Sequence, residues 1–296
     1  MTDAFSRFHP AVNALFFALA IGFSMCLTHP AFLAASLAGA LWYHARLCRR
    51  QAGRFFVHVT LPVMLLGAAI NPAFSHAGAT VLAYFPTGNP LTLESIIYGL
   101  DAGLLLGAVL TWFACCTEVM TSDKFVYLFG RVAPALSLVL SMTLRFVPRF
   151  HAQLQRVRTA QRGLDPSTKP GSVPMRLRRG TAALSAVITW ALENAVDTAD
   201  SMRARGYGLP GRTAYALWCA EPRDRAAALW LAFCGVYLLC GALAGALTWH
   251  CYPTVQAAPV TPWAVSFLLA GLALCLTPAI LGEREARQWK RLHSKT

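Results

Sequence analysis

The chain has 296 residues, 56% of them apolar and only 13% charged, with a formal net charge of +13. Soluble domains carry about 25% charged residues, so this composition excludes an ordinary soluble fold and points to a chain that lives in lipid. Residues 145–225 hold fourteen basic and six acidic side chains, a net of +8. That block mixes acids with bases and offers no stacking platform, so it reads as the polar segment of a membrane protein and not as a nucleic-acid surface.

In chain order, apolar runs predict membrane spans at 11–28, 31–47, 55–70 and 95–117, and later at 226–249 and 263–281. Residues 226–249 contain no Asp, Glu, Lys or Arg. Residues 55–93 contain none either, but Pro62, Asn71-Pro72 and Pro86 break them into a span plus a loop. His58 and Asp101 lie within predicted spans. Each reads as a polar group satisfied by a neighbour and not as a working site. The stretch 76–90 reads as a partly inserted segment or a loop under other helices.

A seventh apolar run, 125–147, is ambiguous by hydropathy. Arg46, Arg49, Arg50 and Arg54 place the loop after the second span in the cytoplasm by the positive-inside rule. If 125–147 crossed, the +8 block and the basic tail 283–296 would both lie outside. Arg131, Pro134 and Arg145 within the run also disfavour crossing. The expectation is therefore six spans with both termini cytoplasmic. The regions are 1–124 (four spans), 125–225 (interfacial and cytoplasmic), 226–282 (two spans) and a tail at 283–296.

Two long helices are predicted inside the polar block. Leu136, Leu140, Val147, Phe150, Leu154 and Val157 recur at helical spacing, with Pro148 as a kink, and the helix is expected to stop at Arg162-Gly163 before Asp165-Pro166. The second runs from about 181 to 205. Its apolar stripe is Leu184, Ile188, Ala191, Ala195, Ala199 and Met202, and its acidic stripe is Glu193, Asp197 and Asp200. It is expected to end at Arg205-Gly206 before Gly208-Leu209-Pro210-Gly211. Either the helices cross with the acidic stripe near Arg145 or Arg149, or both stripes face water. The repeated Arg-Gly ending is the main functional signal, because a guanidinium offers a fixed fork of donors that grips a carboxylate bidentately. Two such ends suit a partner with two equivalent grooves.

Three segments, Leu144-Arg145-Phe146-Val147-Pro148, Ala160-Gln161-Arg162-Gly163 and Ala199-Asp200-Ser201-Met202-Arg203-Ala204-Arg205-Gly206-Tyr207-Gly208, resemble the T component of energy-coupling factor (ECF) transporters. The resemblance is specific over about 134–208 and loose over most of the chain. It implies an all-α integral membrane protein with two cytoplasmic coupling helices between the fourth and fifth spans, located in the bacterial inner membrane. It further implies that Gln161-Arg162-Gly163 and Ala204-Arg205-Gly206 dock two ABC-type ATPase subunits, identical or not. Arg145, Pro148, Glu193, Asp197 and Asp200 would shape the coupling helices. A substrate-binding S component for a vitamin or a metal ion such as cobalt or nickel would rest against them. Gln161 departs from the alanine usual at that place, and the pair of carboxyl-terminal spans is more than many members have.

The chain has no P-loop, HExxH or GxSxG motif and no Cys/His spacing suited to a metal, so neither ATP hydrolysis of its own nor a cofactor is expected. The nine cysteines read as small buried hydrophobes. The rival reading is a membrane-embedded Mg-dependent prenyl- or phosphoalcohol-transferase that uses Asp197 and Asp200 as a DxxD diphosphate motif. It lacks a second acidic cluster.

Overall fold

The computed structural model describes residues 4–49, 51–75, 78–84, 90–164, 173–209, 218–252, 254–257, 259 and 261–293. The protein is an all-α integral membrane protein. Its chain divides into two compact units, 1–121 with 218–296, and 122–217.

The first unit begins with a short 3-10 turn at Phe5–Arg7, followed by α1 (Pro10–Cys26) and α2 (Pro30–Leu47). Each of these helices starts with a proline, whose missing N–H costs nothing in the first turn. Then α3 (Ala52–Phe55), a π-helical turn at Phe56–Thr60 and α4 (Leu61–Phe74) form one continuous rod. Helix α5 (Leu93–Val119) follows a hairpin of two short strands, β1 (Val81–Tyr84) and β2 (Pro90–Thr92). That hairpin occupies part of the stretch expected as a partly inserted loop, and 76–77 and 85–89 lie outside the described residues. The unit closes with α9 (Pro222–Leu243), a second strand pair, β3 (Trp249–His250) with β4 (Gln256–Ala257), and α10 (Pro262–His293).

Among the described residues, four helices are long and apolar enough to cross a membrane: Ala52–Phe74, Leu93–Val119, Pro222–Leu243 and Pro262–Arg284. Helix α1 is apolar but has 17 residues, and α2 is not among the four. Two predicted boundaries differ from the structure. The span expected at 226–249 stops at Leu243, where Gly245 turns the chain with a φ of +71°. The tail expected to begin at 283 continues α10 to His293, past Pro278, so the basic segment is helical and not a separate piece.

The core of this unit is aromatic. Phe5, Phe16, Phe17, Tyr43 and Trp112 are all essentially buried and meet mostly edge-to-face, with centroids 5.2–6.5 Å apart. Trp112 Nε1 donates to Ser36 Oγ at 2.9 Å, and Ser36 in turn pairs with Ser24 at 2.7 Å. Burial there costs little because the polar atoms are partnered. Against α4, α5 presents Gly99, Gly103 and Gly107 at four-residue spacing. A Cβ on Gly103 would lie 2.5 Å from the Met64 carbonyl oxygen, and one on Gly99 would lie 2.6 Å from that of Ala68. Small residues at this spacing let two helices approach in lipid, where no hydrophobic force drives them together. The opposite surfaces carry exposed Leu65, Leu66, Leu229, Phe233 and Leu243, as a lipid-facing exterior requires.

Several polar groups inside the spans have partners, whereas His44 Nε2 of α2 is buried without one among the described residues. His58 Nδ1 hydrogen-bonds the Arg54 carbonyl one turn back at 3.0 Å. Asp101 is buried and accepts from Trp249 Nε1 at 2.7 Å and from Cys251 Sγ at 3.8 Å. Arg46 of α2 pairs with Glu283 of α10. All nine cysteines are free.

The second unit consists of α6 (Ser122–Val132), α7 (Pro134–Leu164) and α8 (Val173–Ala204). The ambiguous apolar run 125–147 is not one helix. It breaks at Ala133, because Pro134 has no N–H to continue the α6 ladder and instead opens α7. Ser137 Oγ then donates to the Val126 carbonyl at 2.9 Å and ties α7 back onto α6.

Candidate functional site

Helix α7 has 31 residues and runs uninterrupted through Pro148; α8 has 32. At 1.5 Å per residue each rod is roughly 46–48 Å long. Helix α8 starts at Val173, eight residues before the predicted start at 181. Pro174 falls in its first turn, where its φ is already helical, and Gly180 is carried in the interior at a cost of about 1 kcal/mol.

The two helices pack on each other along a face that the sequence pattern located only in part. On α7, Leu140, Phe150, Leu154 and Val157 are half-buried as expected, joined by Met142 and Phe146, whereas Leu136 and Val147 are exposed. On α8 the buried side chains are Ala183 and Val187. Half-buried Trp190, Ala191, Asn194, Thr198 and Met202 continue that line. Phe150 and Trp190 meet edge-on with ring centroids 6.0 Å apart. The packed stripe keeps Ala191 and Met202 of the expected one but is rotated away from its Leu184, Ile188, Ala195 and Ala199. Leu184, Ile188, Leu192 and Val196 stand 51–65% exposed instead. The pattern is ambiguous because α8 is apolar on two faces, and only one of them meets α7.

The acidic stripe does not meet the arginines. Glu193, Asp197 and Asp200 are exposed, and among the described residues no ion pair within 4.0 Å joins them to Arg145 or Arg149. Between the helices, Arg145, Arg149 and Arg205 instead line a cleft of about 360 Å³, with Phe146, Ser201 and Met202 in its walls. For the DxxD reading, no third His, Cys, Asp or Glu joins Asp197 and Asp200 among the described residues. A carboxylate pair on a solvated helix face is a poor cradle for a diphosphate-bound cation.

The two Arg-Gly endings, alike in sequence, differ in structure. Helix α8 ends in a Schellman cap: Gly206 has a φ of +75°, Gly206 N–H donates to the Arg203 carbonyl at 3.0 Å, and Tyr207 N–H donates to that of Met202 at 3.0 Å. Only glycine takes that φ without strain, so Arg205 is held at a fixed helix terminus. Gly163, by contrast, lies within α7, which continues to Leu164, and a Cβ there would meet nothing within 4 Å among the described residues. Asp165-Pro166 and Pro210-Gly211, read as helix stops, lie outside the described residues. Arg162 is exposed, and Gln161 is half-buried in line with Phe150, Leu154 and Val157. Ala204 closes α8 and is exposed, as is Pro148 in the middle of α7. Arg205 shares its cleft with Arg149, and Arg162 lies thirteen residues further along α7. The two arginine ends are therefore about 20 Å apart at 1.5 Å per residue.

The row Gly99, Gly103 and Gly107 was visible in the sequence as a four-residue repeat of glycine within an apolar run, and the pattern reading passed over it. The arginine cleft was not visible, since Arg205 is 56 residues from Arg149.

No family model matches the chain. It is 33% identical over 117 residues to the energy-coupling factor transporter transmembrane protein EcfT of Lactobacillus helveticus. The match covers 38% of this chain and 42% of that protein, so the chain spans less than half the length of the curated relative it matches. This likeness supports a distant relationship between the chain and the T component of ECF transporters.

Proposed function

We propose that the protein is the membrane scaffold of an ATP-driven uptake transporter of the ECF type. It would join two ABC-type ATPase subunits to a small substrate-binding membrane protein that captures a vitamin or a metal ion. In this reading the chain sits in a bacterial inner membrane with six spans and both ends in the cytoplasm. Regions 1–124 and 226–282 anchor it, 125–225 carries the coupling helices, and the chain itself catalyses nothing.

The observation that carries the reading is the pair of long helices, α7 and α8, each with an arginine at its carboxyl end and with those ends about 20 Å apart. A two-fold ATPase dimer offers two equivalent grooves, one for each arginine end. Arg162 and Arg205, flanked by Gln161, Gly163, Ala204 and Gly206, each donate bidentately to a carboxylate in one groove. Truncating one partner of such a pair once it is buried costs about 3–5 kcal/mol, enough to keep a lever seated while it moves. The Schellman cap at Gly206 supports this role because it fixes the direction in which the rod ends. The stripe Leu184, Ile188, Leu192 and Val196 is 51–65% exposed and too apolar for water. It supports a second contact, in which the substrate-binding subunit lies along α8.

The test is affinity purification of the chain from bacterial membranes. Co-purification of one or two ATPases together with a small multi-span protein is the expected result. A chain that purifies alone and is active alone contradicts the proposal.

A further inference from the structure

The cleft between α7 and α8 brings two arginines that docking at the helix ends does not use, Arg145 and Arg149, beside Arg205. Arg145 and Arg149 lie at i and i+4 on α7 and so share a face, and Arg205 reaches the same space from the end of α8. None of the three forms an ion pair within 4.0 Å among the described residues, and no acidic side chain lines the cleft. Like charges held around one space repel one another, and an anion placed among them reverses the sign of that interaction. Thr198, Ser201 and Tyr207 add hydroxyl groups, while Met142, Phe146 and Met202 supply the apolar part of the wall.

Position along α7 narrows the choice of anion. Residues 134–144 contain no charged side chain, whereas 145–162 contain five arginines and no acid. Leu136, Val139, Leu144 and Val147 are exposed on this first half of the helix. The helix thus changes from lipid-compatible to strongly basic at Arg145 and Arg149, which is where the cleft opens. A change of this kind marks the level of the phosphates at a membrane surface, and basic pockets there take acidic head groups. A phosphodiester presents oxygens to several donors at once, which suits three converging guanidinium groups better than a single carboxylate does. Its glycerol and acyl carbons suit the methionine and phenylalanine wall. The volume, about 360 Å³, is within the usual range for a small-molecule site.

We propose that this cleft binds the phosphate of an acidic membrane phospholipid, pinning α7 to α8 at the bilayer surface. The site goes beyond the docking role, and it can be tested on the purified chain with no partner subunit present. Native mass spectrometry would follow the full chain titrated with phosphatidylglycerol, with phosphatidylcholine as the zwitterionic control and inorganic phosphate as the soluble probe. The expected result is retention of phosphatidylglycerol at least tenfold above phosphatidylcholine. That preference should fall about tenfold in Arg149→Gln and partly return in Arg149→Lys. It should be unchanged in Arg158→Gln, a basic position on α7 outside the cleft. Circular dichroism of each variant checks that the helices persist.

Equal retention of the two lipids, or an equal loss in Arg158→Gln, would overturn the site as bulk electrostatics. Displacement of phosphatidylglycerol by inorganic phosphate would keep the anion chemistry but assign it to soluble phosphates and reject the lipid. If Arg149→Gln left lipid retention intact and abolished ATPase co-purification instead, the cleft would be a protein-docking groove and the proposal would fail.

Discussion

The two units of this chain solve opposite problems. The first buries a ring of aromatic side chains around Trp112, partners Trp112 with Ser36, and brings α4 and α5 together on three glycines. The second lays two rods of 31 and 32 residues against each other with only Ala183 and Val187 buried on α8, and leaves apolar and basic stripes uncovered. A unit packed like the first can hold its shape with lipid alone for solvent. A unit exposed like the second is built to be covered by something else.

The contrast can be broken by mutation, beginning where the largest effect is expected. Trp112→Ala should cost the first unit about 3–5 kcal/mol, since it empties the centre of the aromatic cluster and removes one of the hydrogen bonds to Ser36. A thermal melt in detergent would read this as a fall of many degrees. Gly103→Leu should cost about 3 kcal/mol or prevent assembly of α4 on α5, because the new side chain would meet the Met64 backbone. Gly163→Ala, where nothing lies within 4 Å among the described residues, should not lower the melting temperature. In the second unit, the combined change Leu184→Ser, Ile188→Ser and Leu192→Ser should move the melting temperature little. It should reduce co-purification of a small membrane partner about tenfold. A large loss of stability with no loss of partner would show that this stripe is covered within the chain itself. The smallest effect belongs to Asp197→Lys, which should change neither stability nor assembly, since Asp197 is exposed and has no ion pair within 4.0 Å among the described residues.

How much of this was readable in advance varies with the range of the interactions. The all-α membrane character follows from apolar run length, and the starts of α1, α2 and α9 at Pro10, Pro30 and Pro222 follow from local proline chemistry. The face of α8 that packs on α7 was read only in part: Ala191 and Met202 are half-buried, Leu184 and Ile188 are not. Leu184 and Ile188 promise more burial energy than Ala183 and Val187, but the closer helix approach selects the smaller pair. The Arg-Gly repeat overstated the likeness of the two helix ends, because glycine can either cap a helix or ride inside it, and only φ tells which. Of the two readings left open for the acidic stripe, contact with Arg145 or Arg149 and exposure to water, the structure has its three carboxylates exposed. In the structure those arginines face Arg205, a proximity that no local pattern encodes.

The central claim is that Arg162 and Arg205 seat the chain on its ATPases. It is tested most directly by the double reversal Arg162→Glu and Arg205→Glu, expressed with the partner subunits and purified from membranes. The account predicts normal insertion and an unchanged melt of the chain, with ATPase recovery reduced at least a hundredfold and ATP-driven uptake lost. Recovery of the ATPases at the level of the unaltered chain would contradict it.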